Sequence, residues 1–236
     1  MQIVILAGGL GERITPLIGR RPKSLAPVNG RAFLDFQLDL LQRSGFTEVV
    51  LCLGHLGEQI REHLASRRDA GLKIQLSDDG EQLLGTAGAI RNANRLLADE
   101  FFLTYGDSYL PIDYRAVIDA FHRSRKLALM VVSRNRNRNQ IDQSNVVVEG
   151  SAVRVYDKER RHPGMEYINH GVSVLHKEAL RLVPGDTPFS QEDFYQRLIS
   201  ERQLAAYETP LRFYEIGSPV GLEEFRHLTA AGAIGA

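Results

Sequence analysis

The stretch Leu6-Ala7-Gly8-Gly9-Leu10-Gly11-Glu12-Arg13 decides the reading of this chain. It grows out of an unbroken apolar run, Ile3 to Ala7, of the kind shown by a strand buried on both faces. Three glycines after such a strand permit positive φ and let backbone N–H groups approach an anion closely. Arg13 adds a guanidinium able to grip phosphate in a two-pronged way. Arg20-Arg21-Pro22-Lys23-Ser24 then brings further cations, with Lys23 held behind a proline. Two rival phosphate loops fail on the letters. Lys23-Ser24 follows Pro22 where the Walker pattern needs glycine, and Ile14 stands where the dinucleotide pattern needs its third glycine. For the glycines alone, a strand-to-helix turn without a ligand remains the alternative; Arg13 and Pro22-Lys23 argue against it.

Outward from this loop, strands and helices alternate. Phe33 to Ser44 carries apolar residues at helical spacing and is ended by Gly45; Glu48 to Leu53 reads as a strand. A helix over 57–65, a strand over 72–76, a helix over 87–97 and a strand over 101–105 follow. This alternation predicts an α/β fold with a mainly parallel central sheet and helices on both faces. Ligands of such sheets bind beyond the carboxyl ends of the strands, where both the glycine loop and Gly106-Asp107 fall. The second half differs: a strand over 128–133, a polar loop over 134–145, a hairpin over 145–157, a strand over 171–175, a helix over 191–200, a strand over 211–216 and a helix over 220–228. We expect one domain over 1–229 and a mobile tail over 230–236.

The bulk numbers exclude more than they identify. The 236 residues carry 29 Lys plus Arg against 29 Asp plus Glu, so no net charge grips nucleic acid or an anionic membrane. The run Arg134, Arg136, Arg138 among asparagines is short. A single cysteine, Cys52, rules out an intramolecular disulfide and reads as a buried structural thiol. No apolar stretch reaches the length of a membrane span, and the N-terminus lacks a basic leader, so a cytoplasmic protein is expected.

With Leu6 to Arg13 followed by Pro22-Lys23-Ser24-Leu25-Ala26-Pro27-Val28, the chain resembles the nucleoside-diphosphate-sugar pyrophosphorylase family. The resemblance extends over nearly the whole chain. It implies a Rossmann-like nucleotidyltransferase fold with a small β-hairpin sugar-binding part, a nucleoside triphosphate, a sugar 1-phosphate and Mg²⁺. Leu84-Gly85-Thr86-Ala87-Gly88-Ala89 resembles the family's nucleobase element, which implies nucleotide contacts for Gly85 and Thr86 beside Leu6, Ala7, Gly8, Gly9 and Gly11; a plain helix start capped by Thr86 is the alternative. Tyr105-Gly106-Asp107 matches the family's metal-binding aspartate, although an isolated strand-end Asp is commonly a turn residue.

Tyr156-Asp157-Lys158 resembles the segment whose lysine contacts the sugar phosphate, a solvated lysine being the alternative. Ile168-Asn169-His170-Gly171-Val172 resembles the element beside the sugar, implying roles for Asn169 and Gly171, with His170 in place of the usual alanine. Phe213-Tyr214-Glu215-Ile216-Gly217-Ser218-Pro219 places Glu215 where the family commonly has the second metal-binding aspartate, so its extra methylene puts the metal geometry in question. His55, at the carboxyl end of the second strand, reads either as part of the base pocket or as a loop residue without a role.

The resemblance implies an in-line displacement in which Arg13, Lys23 and Asp107 are catalytic. A phosphate monoester is mostly dianionic at neutral pH and needs no general base to attack. Among short subfamilies, Gly54-His55-Leu56-Gly57-Glu58-Gln59-Ile60 looks most like two groups. One transfers guanylyl from GTP to D-glycero-D-manno-heptose 1-phosphate; the other transfers uridylyl to N-acetylmuramate 1-phosphate. Leu84 to Gly88 and Asp142-Gln143-Ser144-Asn145 favour the former, and with it nucleotide-sugar supply for surface polysaccharide. A catalytically silent sugar-nucleotide binder is the reading from another class. The family implies a homodimer, with no interface visible in the letters.

Overall fold

The computed structural model describes residues 1–67, 71–80, 82–135, 143–185 and 187–234. In chain order the first half runs β1 (Gln2–Leu6), α1 (Thr15–Ile18), β2 (Pro27–Val28), β3 (Arg31–Ala32), α2 (Phe33–Arg43), β4 (Glu48–Leu53), α3 (Gly57–Ser66), β5 (Lys73–Asp78), α4 (Gly85–Asn92) and β6 (Glu100–Tyr105). The second runs β7 (Ser108–Tyr109), α5 (Tyr114–Ser124), β8 (Ala128–Arg134), β9 (Val146–Glu149), β10 (Ala152–Tyr156), β11 (Tyr167–His176), α6 (Gln191–Ser200), β12 (Leu204–Glu208), β13 (Tyr214–Glu215) and α7 (Pro219–Ala230).

Nine strands form one sheet in the order β5-β4-β1-β6-β11-β8-β12-β10-β9. It is parallel across β5, β4, β1 and β6, and again between β8 and β12. β11 runs antiparallel to both β6 and β8, so the expected mainly parallel sheet is a mixed one. Alternation along β1 explains the two faces. Val4 and Leu6 pack with Ala87 and Ile90 of α4 and Phe194 and Leu198 of α6. Ile3, Ile5 and Ala7 pack with Leu34, Leu38 and Leu41 of α2, Ile60 of α3 and Val117 of α5. Each fully buried Val, Leu, Ile or Phe among them contributes roughly 1.5–3 kcal/mol against exposure.

Other elements depart from the sequence expectation. The helix expected over 87–97 begins at Gly85 and tightens to a 3₁₀ turn over Ala93–Leu96. The expected strand over 211–216 shrinks to β13, whose short pairing with β7 leaves Leu211 exposed. α5, capped by the Asp113 side chain on Arg115 N and Ala116 N, and β12 were not expected at all. Arg136, Arg138 and Asp142 lie outside the described residues.

A third apolar cluster ties the C-terminus to the glycine loop. Phe225 of α7 meets Phe33, Phe36 and Tyr109 edge-on at 5.0, 5.8 and 5.2 Å. Ile14, Ile18 and Ile216 are buried in the same cluster. Within the tail expected over 230–236, Ala230 closes α7 and Ile234 is buried in this cluster, while 231–233 are exposed; 235 and 236 lie outside the described residues. The consequence is local: Ile216 N donates to Asp107 O at 3.0 Å, which sets Glu215 and Gly217 against the end of β6.

Candidate active site

The sheet order makes β1 the point where connections part, first towards β4 and β5, then back to β6. Crevices open beyond strand ends at such a point. Here the backbones crowd. A methyl group added at Gly8 would stand 3.0 Å from Gly54 N, and one at Gly106 would stand 3.2 Å from Leu6 O. A side chain at either position would have to push the neighbouring backbone aside, and beside these close approaches lies a cleft of about 450 Å³. Leu6, Ala7, Gly8, Gly9, Gly85 and Thr86 line it, together with Lys23, Asp107 and Lys158. Gly11 adopts φ +74°, and a methyl there would collide with Lys23 Cγ at 2.8 Å, so the glycine seats the lysine stem.

Thr86 does not cap α4; its hydroxyl accepts from Gln191 N at 2.7 Å and ties the helix start to α6. Gly85 is needed for its φ of +73° and because Phe189 O lies 2.7 Å from where its Cβ would be. The cleft floor includes Cys52, whose burial pushes the thiol up to about 12, so it is no nucleophile at neutral pH.

Charge converges at the β6 end of this cleft. Lys23 Nζ sits 2.8 Å from Asp107 Oδ2. A methyl added at Gly217 would lie 2.9 Å from Asp107 Oδ2, 3.0 Å from Glu215 Oε2 and 3.2 Å from an Arg13 guanidinium nitrogen. Two carboxylates and two cations therefore face one small space, kept open because residue 217 has no side chain. Glu215 is aimed by the start of α7: Ser218 caps that helix, accepting from Gly221 N at 3.1 Å, and donates its hydroxyl hydrogen to Glu215 Oε1. That leaves Oε2 for the shared space.

These residues fit Mg²⁺. The ion takes hard oxygen ligands, usually one or two carboxylates completed by water and phosphate, and the Lys23 ammonium shows that Asp107 Oδ2 is presented to a cation. Among the described residues, no group of three or more His, Cys, Asp or Glu is placed to hold a metal by itself.

A second pocket, of about 540 Å³, opens on the far side of Lys158. Arg13, Arg160, Arg161, Asn145, Asn169 and Phe213 are among its walls. Lys158 borders both spaces. Its ammonium stands 5.9 Å from the Tyr105 ring centroid and 5.8 Å from that of Tyr156, and its backbone N–H donates to Glu192 Oε1. The turn beyond it is closed by Asp157, which accepts from Glu159 N, Arg160 N and His162 Nε2. Those bonds, the one from Arg160 foremost, hold the Asp157 carboxyl down at about 2. Gly171, at φ +73°, lets β11 pass Tyr105, whose Cδ2 would meet an added methyl at 2.9 Å.

The structure thus brings most of the sequence-expected residues into two adjoining spaces, with corrections. Arg13 faces the second pocket and the carboxylate pair rather than the wall of the glycine-loop cleft. His55 is exposed and does not line the cleft; its backbone N–H donates to Gly8 O at 3.3 Å. Sequence reading missed Asp79, which lines the cleft, although Asp78-Asp79-Gly80 follows a strand end as Gly106-Asp107 does. It also missed Arg160 and Arg161, signalled only by the charged run after Lys158, and the Ser24 hydroxyl, which is buried beside Lys23 with no hydrogen-bond partner among the described residues.

A family model described as nucleotidyl transferase matches residues 2–214. D-glycero-α-D-manno-heptose 1-phosphate guanylyltransferase of Campylobacter jejuni is 28% identical over 96% of this chain and 98% of its own length. N-acetylmuramate α-1-phosphate uridylyltransferase of Caulobacter vibrioides is also 28% identical, over 92% of this chain and 91% of its own. Among solved structures, HddC from Yersinia pseudotuberculosis complexed with GMP-PN superposes with a TM-score of 0.79 at 25% identity, over 97% of this chain and 99% of that one.

Proposed function

The chain belongs to the nucleotidyl transferase family, and from that premise we propose that it joins guanylyl from GTP to D-glycero-α-D-manno-heptose 1-phosphate, with Mg²⁺, releasing pyrophosphate. The broader activity, a sugar-1-phosphate nucleotidyltransferase of nucleotide-sugar biosynthesis, is that of the relatives along nearly the full length. The heptose and guanine assignment draws support from the Campylobacter relative and from the guanine nucleotide analogue in the Yersinia structure.

The observation that carries the reading is the pair of pockets meeting at Lys158, with Asp107, Glu215 and Arg13 at their junction. The glycine-loop cleft takes the triphosphate on backbone N–H groups. Lys23, whose stem rests on Gly11, neutralises the leaving pyrophosphate. Lys158 and Arg13 hold the sugar phosphate so that one of its oxygens lines up with the α-phosphorus. That oxygen forms the new P–O bond as the bond to pyrophosphate breaks. Because the attacking phosphate is already dianionic, positioning and charge neutralisation do the work. Mg²⁺, held by Asp107 and Glu215, would supply further neutralisation of phosphate charge when bound.

The test is pyrophosphate release with GTP, UTP, CTP, ATP and dTTP, each against a panel of sugar 1-phosphates. Highest kcat/KM is expected for GTP with the heptose phosphate. UTP with N-acetylmuramate 1-phosphate as the best pair would replace this assignment with the second group, and no release with any pair would leave a silent binder.

A further inference from the structure

A third pocket, of about 390 Å³, shares no lining residue with either substrate space. Its walls are the far end of α4 and the 3₁₀ turn after it, with Arg91, Asn92, Asn94 and Arg95, and the loop before α6, with Gly185 and Thr187. Arg91 and Arg95 make no hydrogen bond or ion pair among the described residues, and none of the described lining residues is acidic. Asp186 lies outside the described residues. A methyl added at Gly185 would stand 2.5 Å from Arg91 Nη1, so a glycine there lets the guanidinium lie against the loop. One basic residue in a last turn offsets the carbonyls at a helix end. Two guanidiniums in one hollow, with the Asn94 amide and the Thr187 hydroxyl beside them, exceed that need and leave a surplus of donors.

α4 stands between this hollow and the nucleotide cleft. Gly85, Thr86 and Ala89 line the cleft, while Leu84, Gly88, Arg91 and Asn92 recur at helical spacing along another stripe and line the hollow. The loop that holds Thr187 also fixes the start of the helix. Phe189 N donates to Leu84 O at 2.8 Å, and Ala87 N donates to Phe189 O at 2.9 Å. At the other end, the Asn92 side chain donates to Asp78 O at 2.8 Å, beside Asp79 of the cleft. A ligand joining Arg91 and Arg95 to Thr187 would clamp this loop to the helix that carries Gly85 and Thr86.

We propose that this hollow is a second anion site, binding a phosphate group, free or carried on a small metabolite, and that its occupation tightens nucleotide binding across α4. Guanidinium groups match phosphate oxygens in pairs and stay charged at any physiological pH. The room exceeds one phosphate, so an ester has space for its organic part. The coupling works through order. A loop held to α4 at Thr187 as well as at Leu84 leaves Gly85 and Thr86 fewer arrangements, and the nucleotide then bears less of that entropic cost. The site acts in this way whichever base and sugar the substrate pockets take.

Backbone amide shifts at Gly88, Gly185 and Thr187, followed by NMR, read this hollow separately from phosphate bound in the substrate pockets. Inorganic phosphate, added to the whole chain without sugar phosphate, should move them to saturation in the wild type and not in Arg91→Gln/Arg95→Gln. Shifts as large with sodium chloride at equal ionic strength, or equal shifts in wild type and variant, would overturn the site. Without phosphate, the variant should keep wild-type kcat and nucleotide KM; a lower kcat there would make the two arginines mere supports of α4. Saturating GTP should lower the phosphate midpoint read at Thr187 by about fivefold, because coupling between two sites is reciprocal. An unchanged or raised midpoint would overturn the coupling. UTP takes the place of GTP should the base assignment fall, so the two readings fail separately. Glucose 6-phosphate separates the sources: a midpoint below that of inorganic phosphate assigns the site to an ester, and one above it to free phosphate.

Discussion

The cleft beside β1 is built from backbone: Gly8 presses on Gly54, Gly106 presses on Leu6, and Gly11 seats a lysine stem. The pocket beyond Lys158 is built from side chains, with Arg13, Arg160, Arg161 and Asn169 reaching in from a loop, a turn and a bulged strand. Backbone donors recognise what all nucleoside triphosphates share, and they tolerate almost no change, because a single methyl collides. Side-chain donors on loops can be exchanged one at a time, which suits a site that must distinguish one sugar phosphate from another. The carboxylate pair Asp107 and Glu215 stands between, fixed on one side by β6 and on the other by the cap of α7.

Breaking the junction should cost most. Asp107→Ala should lower kcat by on the order of a thousandfold while far-UV circular dichroism and melting stay near wild type; near-normal pyrophosphate release in magnesium would remove Asp107 from the metal site. Glu215→Gln keeps the volume and loses the charge. A fall of roughly ten- to a hundredfold in kcat is expected, with the magnesium midpoint moved upward. An unmoved midpoint would make Glu215 a structural partner of Ser218 only.

The two pockets should then separate kinetically. Lys158→Ala should raise KM for the sugar phosphate by about tenfold and KM for the nucleotide far less; the opposite split would exchange the roles of the two spaces. Gly8→Ala should act on the other side, raising nucleotide KM and destabilising the fold by about 1–3 kcal/mol through overpacking, read by denaturant titration. Unchanged stability would mean that β1 and β4 yield more readily than their close approach implies.

The smallest effect concerns His170, buried edge-on against Phe213 at 4.5 Å, with neither ring nitrogen hydrogen-bonded among the described residues. Burial lowers it from 6.5 to about 4. Between those values the unfolded chain takes up a proton that the folded chain refuses, so stability falls as pH drops from about 6.5 towards 4. His170→Leu should flatten that part of the melting-temperature profile. An equally steep profile in the variant would place the acid sensitivity elsewhere.

The same contrast explains what the sequence made legible. The backbone-built cleft leaves its mark in residue type, since only glycine fits where chains touch or φ is positive, and so Gly8, Gly11 and Gly85 could be picked out from letters. Asp107 was legible through the resemblance of Tyr105-Gly106-Asp107 to the family's metal-binding segment, just beyond a buried strand. Asp79 follows β5, an edge strand with a mixed pattern, and its place becomes visible only in the cleft it lines. Arg160 and Arg161 look like any solvated charges until the turn held by Asp157 aims them. β11 was read too short, and its antiparallel course, which breaks the parallel sheet, depends on pairing partners far away in sequence. α5 escaped notice because its buried stripe is narrow, Tyr114, Val117 and Phe121 in eleven residues.

The central claim is a single direct transfer between two pockets, with no protein group bonded to phosphorus on the way. It is tested most directly by the stereochemistry of turnover with GTP carrying one sulfur of defined chirality on the α-phosphorus. One in-line displacement predicts inversion at that phosphorus in the nucleotide-sugar product. Retention would require two displacements and a covalent nucleotidyl-protein intermediate, and would contradict the account.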